Sequence, residues 1–342
     1  MFRMDTISIL TQLTSVCGVS GAEESAAKTV SQLLSPYGKT QIDSLGNVLF
    51  TDEGGNGPLL LLDAHIDEIG MIVTYITDGG FLKVSACGGI DSRVLLGQRV
   101  TVYGLNRLTG IIASTPPHLE TDSSAAVSAE EIYIDIGLSK DEAERLVSPG
   151  DRVIIENRLC PLAGGRVTSK ALDNRAGAAA VILAIAMLHS KKTACRIAAL
   201  FSVQEETGCA GARTGAYSIA PDMAVAVDVS FAKTHGETEE SCGFLGKGPM
   251  IGIAPSLSRK MSDTLIKLAE ENNIPYQLEV MSGKTGTNAD AIGIARGGTA
   301  AVTLSIPEKH MHTPAEIADL NDIENTARLI ALYAERAAEI FD

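Results

Sequence analysis

Short apolar runs in this chain repeatedly end in an acid or a histidine. Residues 58–62 lead into His65 and Asp67, residues 195–203 into Glu205 and Glu206, residues 223–227 into Asp228, and residues 299–306 into His310 and His312. Near-continuous apolar runs of this length fit strands covered on both faces. Residues 40–50 and 276–281 also read as strands. Helical spacing is found over 7–13 and 24–34, where Asp5 or Thr6 and the segment 20–23 supply caps, and again over 171–189, 260–272 and 323–341. Strands alternating with helices predict a sheet flanked by helices.

Between these regions the texture changes. Short β-branched runs at 71–76, 81–85, 99–103, 110–114, 131–136 and 152–156 are separated by glycines and polar turns, and only 140–147 looks helical. That spacing predicts a compact β-sandwich or barrel. The expected fold class is α/β, with a discontinuous domain of residues 1–68 plus 165–342 interrupted by a β-rich insertion of residues 69–164. No internal repeat and no low-complexity segment is evident.

At 342 residues and 45% hydrophobic content the chain can bury a sizeable core. Acids outnumber bases by 42 to 28, a formal net charge of −14, and no basic run is present. Nucleic acid is therefore not an expected partner. Residues 176–188, the longest uncharged apolar helix candidate, are too few to span a bilayer, and residues 1–10 lack the apolar core of a signal peptide. A cytoplasmic protein without membrane contact is expected. The six cysteines form no C-x-x-C pair and read as reduced thiols, with Cys209 a small buried filler beside the glutamates.

His65 and Asp67 point to one side in an extended chain, so the carboxylate can fix the histidine's tautomer; a surface or capping pair is the plain alternative. Asp173 stands before a long apolar helix, where it can cap the helix or bridge two cations. Of Glu205 and Glu206, one can ligate metal while the other faces substrate as a general base, unless both are solvated in a turn. Asp228 closes an apolar run, where either a metal or a salt bridge to Arg175 would account for a buried charge. Spacing does not choose between His310 and His312. His118, His189 and His235 read as structural or surface residues. Nitrogen and oxygen donors without thiolates suit zinc, cobalt or manganese at a catalytic site.

The motifs Ala64-His65-Ile66-Asp67-Glu68-Ile69-Gly70, Ala171-Leu172-Asp173-Asn174-Arg175, Gln204-Glu205-Glu206-Thr207-Gly208, Val227-Asp228-Val229-Ser230 and Met311-His312-Thr313 together resemble the glutamyl aminopeptidase and tetrahedral (TET) aminopeptidase family of metallopeptidases. The likeness spans nearly the whole chain. It implies a phosphorylase/hydrolase-like catalytic domain carrying an inserted β-barrel, PDZ-like, for dimerisation. It also implies two divalent metal ions per subunit, zinc or cobalt with manganese as the alternative. By the resemblance Asp173 bridges them, His65 and Asp228 complete one ligand set, Glu206 and His312 complete the other, Glu205 is the general base and Asp67 orients His65. His310 occupies a position where relatives often carry tyrosine, which implies that it lines the site without ligating. In Thr285-Gly286-Thr287-Asn288-Ala289-Asp290, Asn288 replaces the family's usual Asp, with Asp290 nearby.

The expected activity is release of N-terminal residues from short peptides by a homo-oligomer, a dimer or a dodecamer of dimers. Another two-metal amidohydrolase, a deacylase or carboxypeptidase, would use the same ligands. A catalytically silent shell protein that keeps its metals for structure is a rival of another class. An endoglucanase, a label some relatives have carried, would need a carboxylate pair flanking a sugar and no metal-binding histidines.

Overall fold

The computed structural model describes residues 5–52, 57–114, 131–189, 191, 193 and 195–337. His118 lies outside the described residues. The chain opens with α1 (Thr6–Thr14), α2 (Glu24–Leu34), β1 (Lys39–Ile42), β2 (Val48–Thr51) and β3 (Leu59–His65). A second group of strands follows: β4 (Gly70–Ile76), β5 (Leu82–Cys87), β6 (Arg99–Tyr103), β7 (Arg107–Ala113), β8 (Tyr133–Asp135), α3 (Lys140–Leu146) and β9 (Arg152–Ile155). The α/β pattern then returns with β10 (Cys160–Leu162), β11 (Arg166–Ser169), α4 (Leu172–Leu188), β12 (Arg196–Ser202), α5 (Ala210–Ile219), β13 (Met223–Phe231) and β14 (Met250–Ile253). It ends with α6 (Arg259–Glu271), β15 (Gln277–Val280), α7 (Asn288–Gly293), β16 (Ala300–Lys309), β17 (Glu316–Asp319) and α8 (Leu320–Arg336).

Among the described residues, eleven strands form one sheet in the order β1-β2-β12-β3-β13-β16-β17-β11-β10, with β14 and β15 branching from β16. Its centre, β12-β3-β13-β16, is parallel. The apolar runs are long because these strands are covered on both faces. On β13, Val225, Val227 and Val229 pack into the large core beneath α1, α2, α4, α6 and α8, while Ala224 and Ala226 turn to the opposite layer with α5 and α7. Alanines on both sides of that layer, Ala198 and Ala301 on the sheet and Ala289 and Ala291 on α7, let the helices approach closely.

The strands β4-β5-β8-β7-β6-β9 close into a barrel with its own core of Met71, Val84, Val100, Val102, Ile134 and Val153. The fold is thus mixed α/β with a closed six-stranded barrel joined through the segments after β3 and after β9. No helix among the described residues is long and apolar enough to cross a membrane.

Two expectations differ from the structure in instructive ways. Residues 40–50 fold as a hairpin, β1 paired with β2, because the Asp43 carboxylate accepts from the backbone of Leu45, Gly46 and Asn47 and turns the chain. The helix expected from residue 171 has non-helical backbone at Asp173 and Asn174. There the Asn174 side-chain oxygen Oδ1 accepts from Gly177 N at 3.0 Å, so Asn174 performs the capping expected of Asp173.

The segment carrying Glu205 and Glu206 is fixed at both ends by Asn47, which is fully buried. Its side-chain oxygen accepts from Val203 N at 3.0 Å and its amide donates to Gly211 O at 3.2 Å. A Cβ at Gly211 would lie 2.3 Å from Asn47 Oδ1 and 2.4 Å from Val203 O. Gly211→Ala is therefore expected to destabilise the protein by roughly 1–3 kcal/mol, read as a lower urea midpoint at unchanged slope. An unchanged midpoint would mean that the start of α5 can move away from β12.

Candidate metal centre

Parallel strands end in exposed loops at one edge of the sheet, and that edge gathers the polar groups here. His65 closes β3 and Asp228 lies near the end of β13; both share a face with the alanines of the α5 and α7 layer. Asp173 comes from the start of α4, Glu205 and Glu206 follow β12, and His312 follows β16. His65, Asp67, Asp173 and Asp228 are buried, whereas the His312 side chain is about one-third exposed.

The side chains form two groups that share one residue. His65 Nε2 lies 3.1 Å from Asp173 Oδ1 and 3.6 Å from Asp228 Oδ1. His312 Nε2 lies 3.4 Å from Asp173 Oδ2 and 3.5 Å from Glu206 Oε2. Among the described residues, the donor atoms within each of the groups His65-Asp173-Asp228 and Asp173-Glu206-His312 all fall within 4.8 Å of one another. The two Asp173 oxygens face different groups. Glu205 belongs to neither, yet its Oε2 is 4.0 Å from His65 Nε2.

Asp67 does more than face His65. The His65 Nδ1 to Asp67 Oδ1 distance is 3.3 Å, an ion-pair contact without good hydrogen-bond alignment, since Nδ1 has no hydrogen-bond partner. The same carboxylate accepts from the backbone N–H of Glu205 at 2.9 Å and Glu206 at 3.1 Å, and from Ser20 Oγ at 2.6 Å. It therefore fixes the glutamate turn relative to the end of β3.

Burial is the main influence on these acids. It pushes Glu205 up to about 7, Glu206 up to about 8 and Asp228 up to about 6, with further upward pressure from neighbouring carboxylates. Burial also opposes ionisation of Asp173, but contacts with His312 and His65 outweigh it and hold the carboxyl below its usual range. His312 is raised to about 9, chiefly by its contact with Asp173. For His65, burial opposes the charge, while Asp173, Asp228 and Asp67 raise it well above the ordinary histidine value. So many acids facing so few cations, with nitrogen and oxygen atoms converging, fits hard or borderline divalent metals. The thiol of Cys209 is kept protonated by burial and Glu205, up to about 12, and lies 3.4 Å from Glu205 Oε1 rather than in either donor group.

The other residues singled out from the sequence fall outside the donor groups. His310 is exposed. Arg175 turns away from Asp228, and its Nη2 lies 3.7 Å from Glu68. Asn288 donates to Asp63 and to Ser202, both at 2.8 Å, behind His65. Asp290 accepts from the backbone of Thr285 and Gly286.

Several further residues support the centre. Glu316, fully buried on β17, accepts from Asp173 N at 3.2 Å. Gly88 and Gly89, just after the barrel strand β5, bring that domain against the centre: a Cβ at Gly89 would lie 2.8 Å from His312 Nδ1, and one at Gly88 3.3 Å from Glu206 Oε2. Their adjacency in the sequence was the available hint of a close backbone approach. Left-handed backbone at Ala171, Gln204, Cys209 and His312 borders the donors, the kind of strain that collects at functional sites.

Known proteins resemble this chain over most or nearly all of its length. A family model described as M42 glutamyl aminopeptidase matches residues 46–329. A putative aminopeptidase of Acetivibrio thermocellus is 36% identical, covering 96% of this chain and 98% of that protein. The structure of an aminopeptidase from the archaeon Desulfurococcus kamchatkensis is 35% identical and superposes with a TM-score of 0.93 over 98% of this chain and 96% of that one. The TET1 peptidase of Pyrococcus horikoshii, described as assembling into a tetrahedron or a large octahedral shell, is 34% identical with a TM-score of 0.86 over 96% of this chain and 99% of that one.

Proton uptake gives the centre a measurable signature. Without metal, Glu205 and Glu206 hold protons to about 7 and 8 against 4.5 for an ordinary glutamate, and Asp228 to about 6 against 3.8. The folded chain then binds more protons than the unfolded one between about pH 4 and 8, so stability falls as pH rises across that window. His312 acts in the same direction: its contribution is complete below 6.5 and is lost as pH rises through about 9. Asp67 and Asp173, held below 3.8, matter only under more acidic conditions. The thermal midpoint of chelator-treated protein should fall between about pH 5 and 9, and saturating zinc should remove most of that fall, because metal binds the deprotonated carboxylates. A flat profile without metal would contradict this account.

Proposed function

This chain belongs to the M42 glutamyl aminopeptidase family and is an aminopeptidase, and on that premise we propose that it releases N-terminal residues from short peptides at a centre holding two divalent cations, with Glu205 as general base. The observation that carries this reading is the division of labour around Asp173. Its two oxygens face separate donor groups, while Glu205 stands beside them without joining either. His65, Asp173 and Asp228 would hold one cation, and Asp173, Glu206 and His312 the other. Zinc or cobalt fits this donor chemistry, with manganese as the alternative. When bound, the cations would supply Lewis acidity to a water and to the scissile carbonyl.

The chain's own groups supply the proton transfers and the alignment. Glu205 takes a proton from the attacking water and returns it to the departing amine, a role suited to a carboxyl that burial brings near neutrality. Asp67 holds the Glu205 backbone and faces His65, so base and ligand keep a fixed relation. The acids around the centre favour a substrate's free α-ammonium over a blocked terminus.

The reading extends to assembly, as a dimer or a dodecamer of dimers. Strand β15 ends its branch of the sheet, and its Leu278 and Val280 are 50% and 74% exposed, a surface suited to burial between copies.

The deciding assay measures hydrolysis of free and N-acetylated amino-acyl anilides by chelator-stripped protein, before and after separate addition of zinc, cobalt or manganese. Activity restored by metal and confined to free amines is expected; restored activity on blocked substrates would make the enzyme a deacylase, and none on any substrate would favour a silent shell protein. Within the same assay, Glu205→Gln should keep both metals by elemental analysis and lose about 10²–10⁴-fold in kcat. Near-normal turnover with both metals present would remove Glu205 from the base's role.

A further inference from the structure

Beside the centre lies a second, buried set of charges that the proposed mechanism does not use. Glu68 immediately follows Asp67, and Lys170 and Arg175 flank the segment 171–174 that carries Asp173. Glu68, Lys170 and Arg175 are 2%, 7% and 0% exposed. Lys170 Nζ donates to Glu68 Oε2 at 2.6 Å and to Val16 O at 3.1 Å. Glu68 Oε1 accepts from Gly18 N at 2.8 Å and faces Arg175 Nη2 at 3.7 Å, while Arg175 Nη1 donates to Leu13 O at 2.7 Å. One carboxylate at the end of the His65 segment is thus gripped by a cation on each side of the Asp173 segment.

Stability alone does not account for such a cluster. Burying ions has a desolvation cost that well-packed apolar residues of the same volume would avoid. The guanidinium is also incompletely satisfied, since Nε and Nη2 of Arg175 have no hydrogen-bond partner. Room for it is made by a glycine: a Cβ at Gly18 would stand 2.1 Å from Arg175 Nη2. What the arrangement does specify is distance. It ties the backbone after His65 to both ends of the short irregular segment 171–174, whose left-handed Ala171 and non-helical Asp173 and Asn174 leave Asp173 without a regular helix to hold it.

We propose that Glu68, Lys170 and Arg175 form a buried ionic clamp that positions Asp173 against His65, and so sets the spacing of the two donor groups that share Asp173; the inference rests on the two-cation reading above. These are positioning residues, since none of the three belongs to either donor group. The clamp explains why Arg175 faces Glu68 rather than Asp228, and why Gly18, against the guanidinium, has no side chain.

The test reads metal binding rather than turnover alone. Cobalt(II) is titrated into chelator-stripped protein against a chromophoric chelator, with the visible spectrum of the bound ions recorded and folding checked by circular dichroism. Glu68→Gln, which keeps the shape and removes the charge, is expected to lose about tenfold or more in affinity for at least one ion and to shift the visible bands. Gly18→Ala, whose Cβ would stand 2.1 Å from Arg175 Nη2 and 3.1 Å from Ile66 O, should do the same by displacing the guanidinium. Lys170→Arg, which keeps the charge, should retain both ions and the wild-type spectrum. If Glu68→Gln does not fold, Lys170→Met at the edge of the cluster decides by the same readout. Folded Glu68→Gln or Lys170→Met protein that binds two cobalt ions with wild-type affinity and spectrum would overturn the clamp while leaving the two-cation reading intact. Wild-type protein that binds no cobalt would overturn both.

Discussion

Mutual repulsion among desolvated carboxylates is the constraint on which the rest of this structure depends. Asp67, Asp173, Glu205, Glu206 and Asp228 converge at one edge of a sheet, with Glu308 and Glu316 buried behind them. Two like charges 4 Å apart repel by roughly 4 kcal/mol at an effective dielectric near 20, and burial removes the water that would otherwise screen them. The protein meets this in three ways. Protons remain on Glu205, Glu206 and Asp228 to higher pH than usual, and Glu308 and Glu316 are likewise held well above the ordinary range by burial. Backbone N–H groups are aimed at Asp67 and Glu316. Two histidines are placed between the acids.

Such a cluster can persist only where the surrounding fold over-determines it. The parallel centre of the sheet provides that, because its strands are packed on both faces and their ends are fixed to within the tolerance of a close-packed core. The loops then add short-range constraints: Asn47 across the base of the glutamate turn, Asp67 on its amides, Glu316 under Asp173. The barrel takes part through Gly88 and Gly89, whose missing side chains let the backbone meet Glu206 and His312. A domain that could read as a separate module is therefore part of the wall around the donors.

Much of this was legible in the sequence, and the limits have physical causes. Residues 58–62, 223–227 and 299–306 announce buried strands because both faces must be apolar, and the six β-branched runs announce the barrel strands at nearly their observed positions. The polar cluster is legible because His65, Glu205, Glu206, Asp228 and His312 each stand just beyond or at the end of such a run, where a charge needs a reason. By contrast α5 and α7 escape notice: they are short, rich in alanine and glycine, and draw their stability from packing against β12, β13 and β16 instead of from helical periodicity. The contributions of Ser20, Asn47, Glu68 and Glu316 are invisible for another reason. Each acts on a residue distant in sequence, and a single polar residue between apolar neighbours looks the same whether it is solvated or holds a backbone amide 150 residues away.

The path of the chain bears on how the centre is held. The barrel departs immediately after Glu68 and the chain comes back through β10 and β11 to Lys170, so the two connections between the domains end at the two partners of one buried ion pair. Asp67 precedes the first connection and Asp173 follows the second by three residues. A barrel inserted elsewhere in the α/β domain would leave these segments independent, each free to shift by its own thermal motion. Inserted here, it places the departure and the return side by side, and the Glu68–Lys170 contact closes them into a single collar. On the clamp proposed above, the residues that begin and end the excursion are the ones that would keep His65 and Asp173 about 3 Å apart.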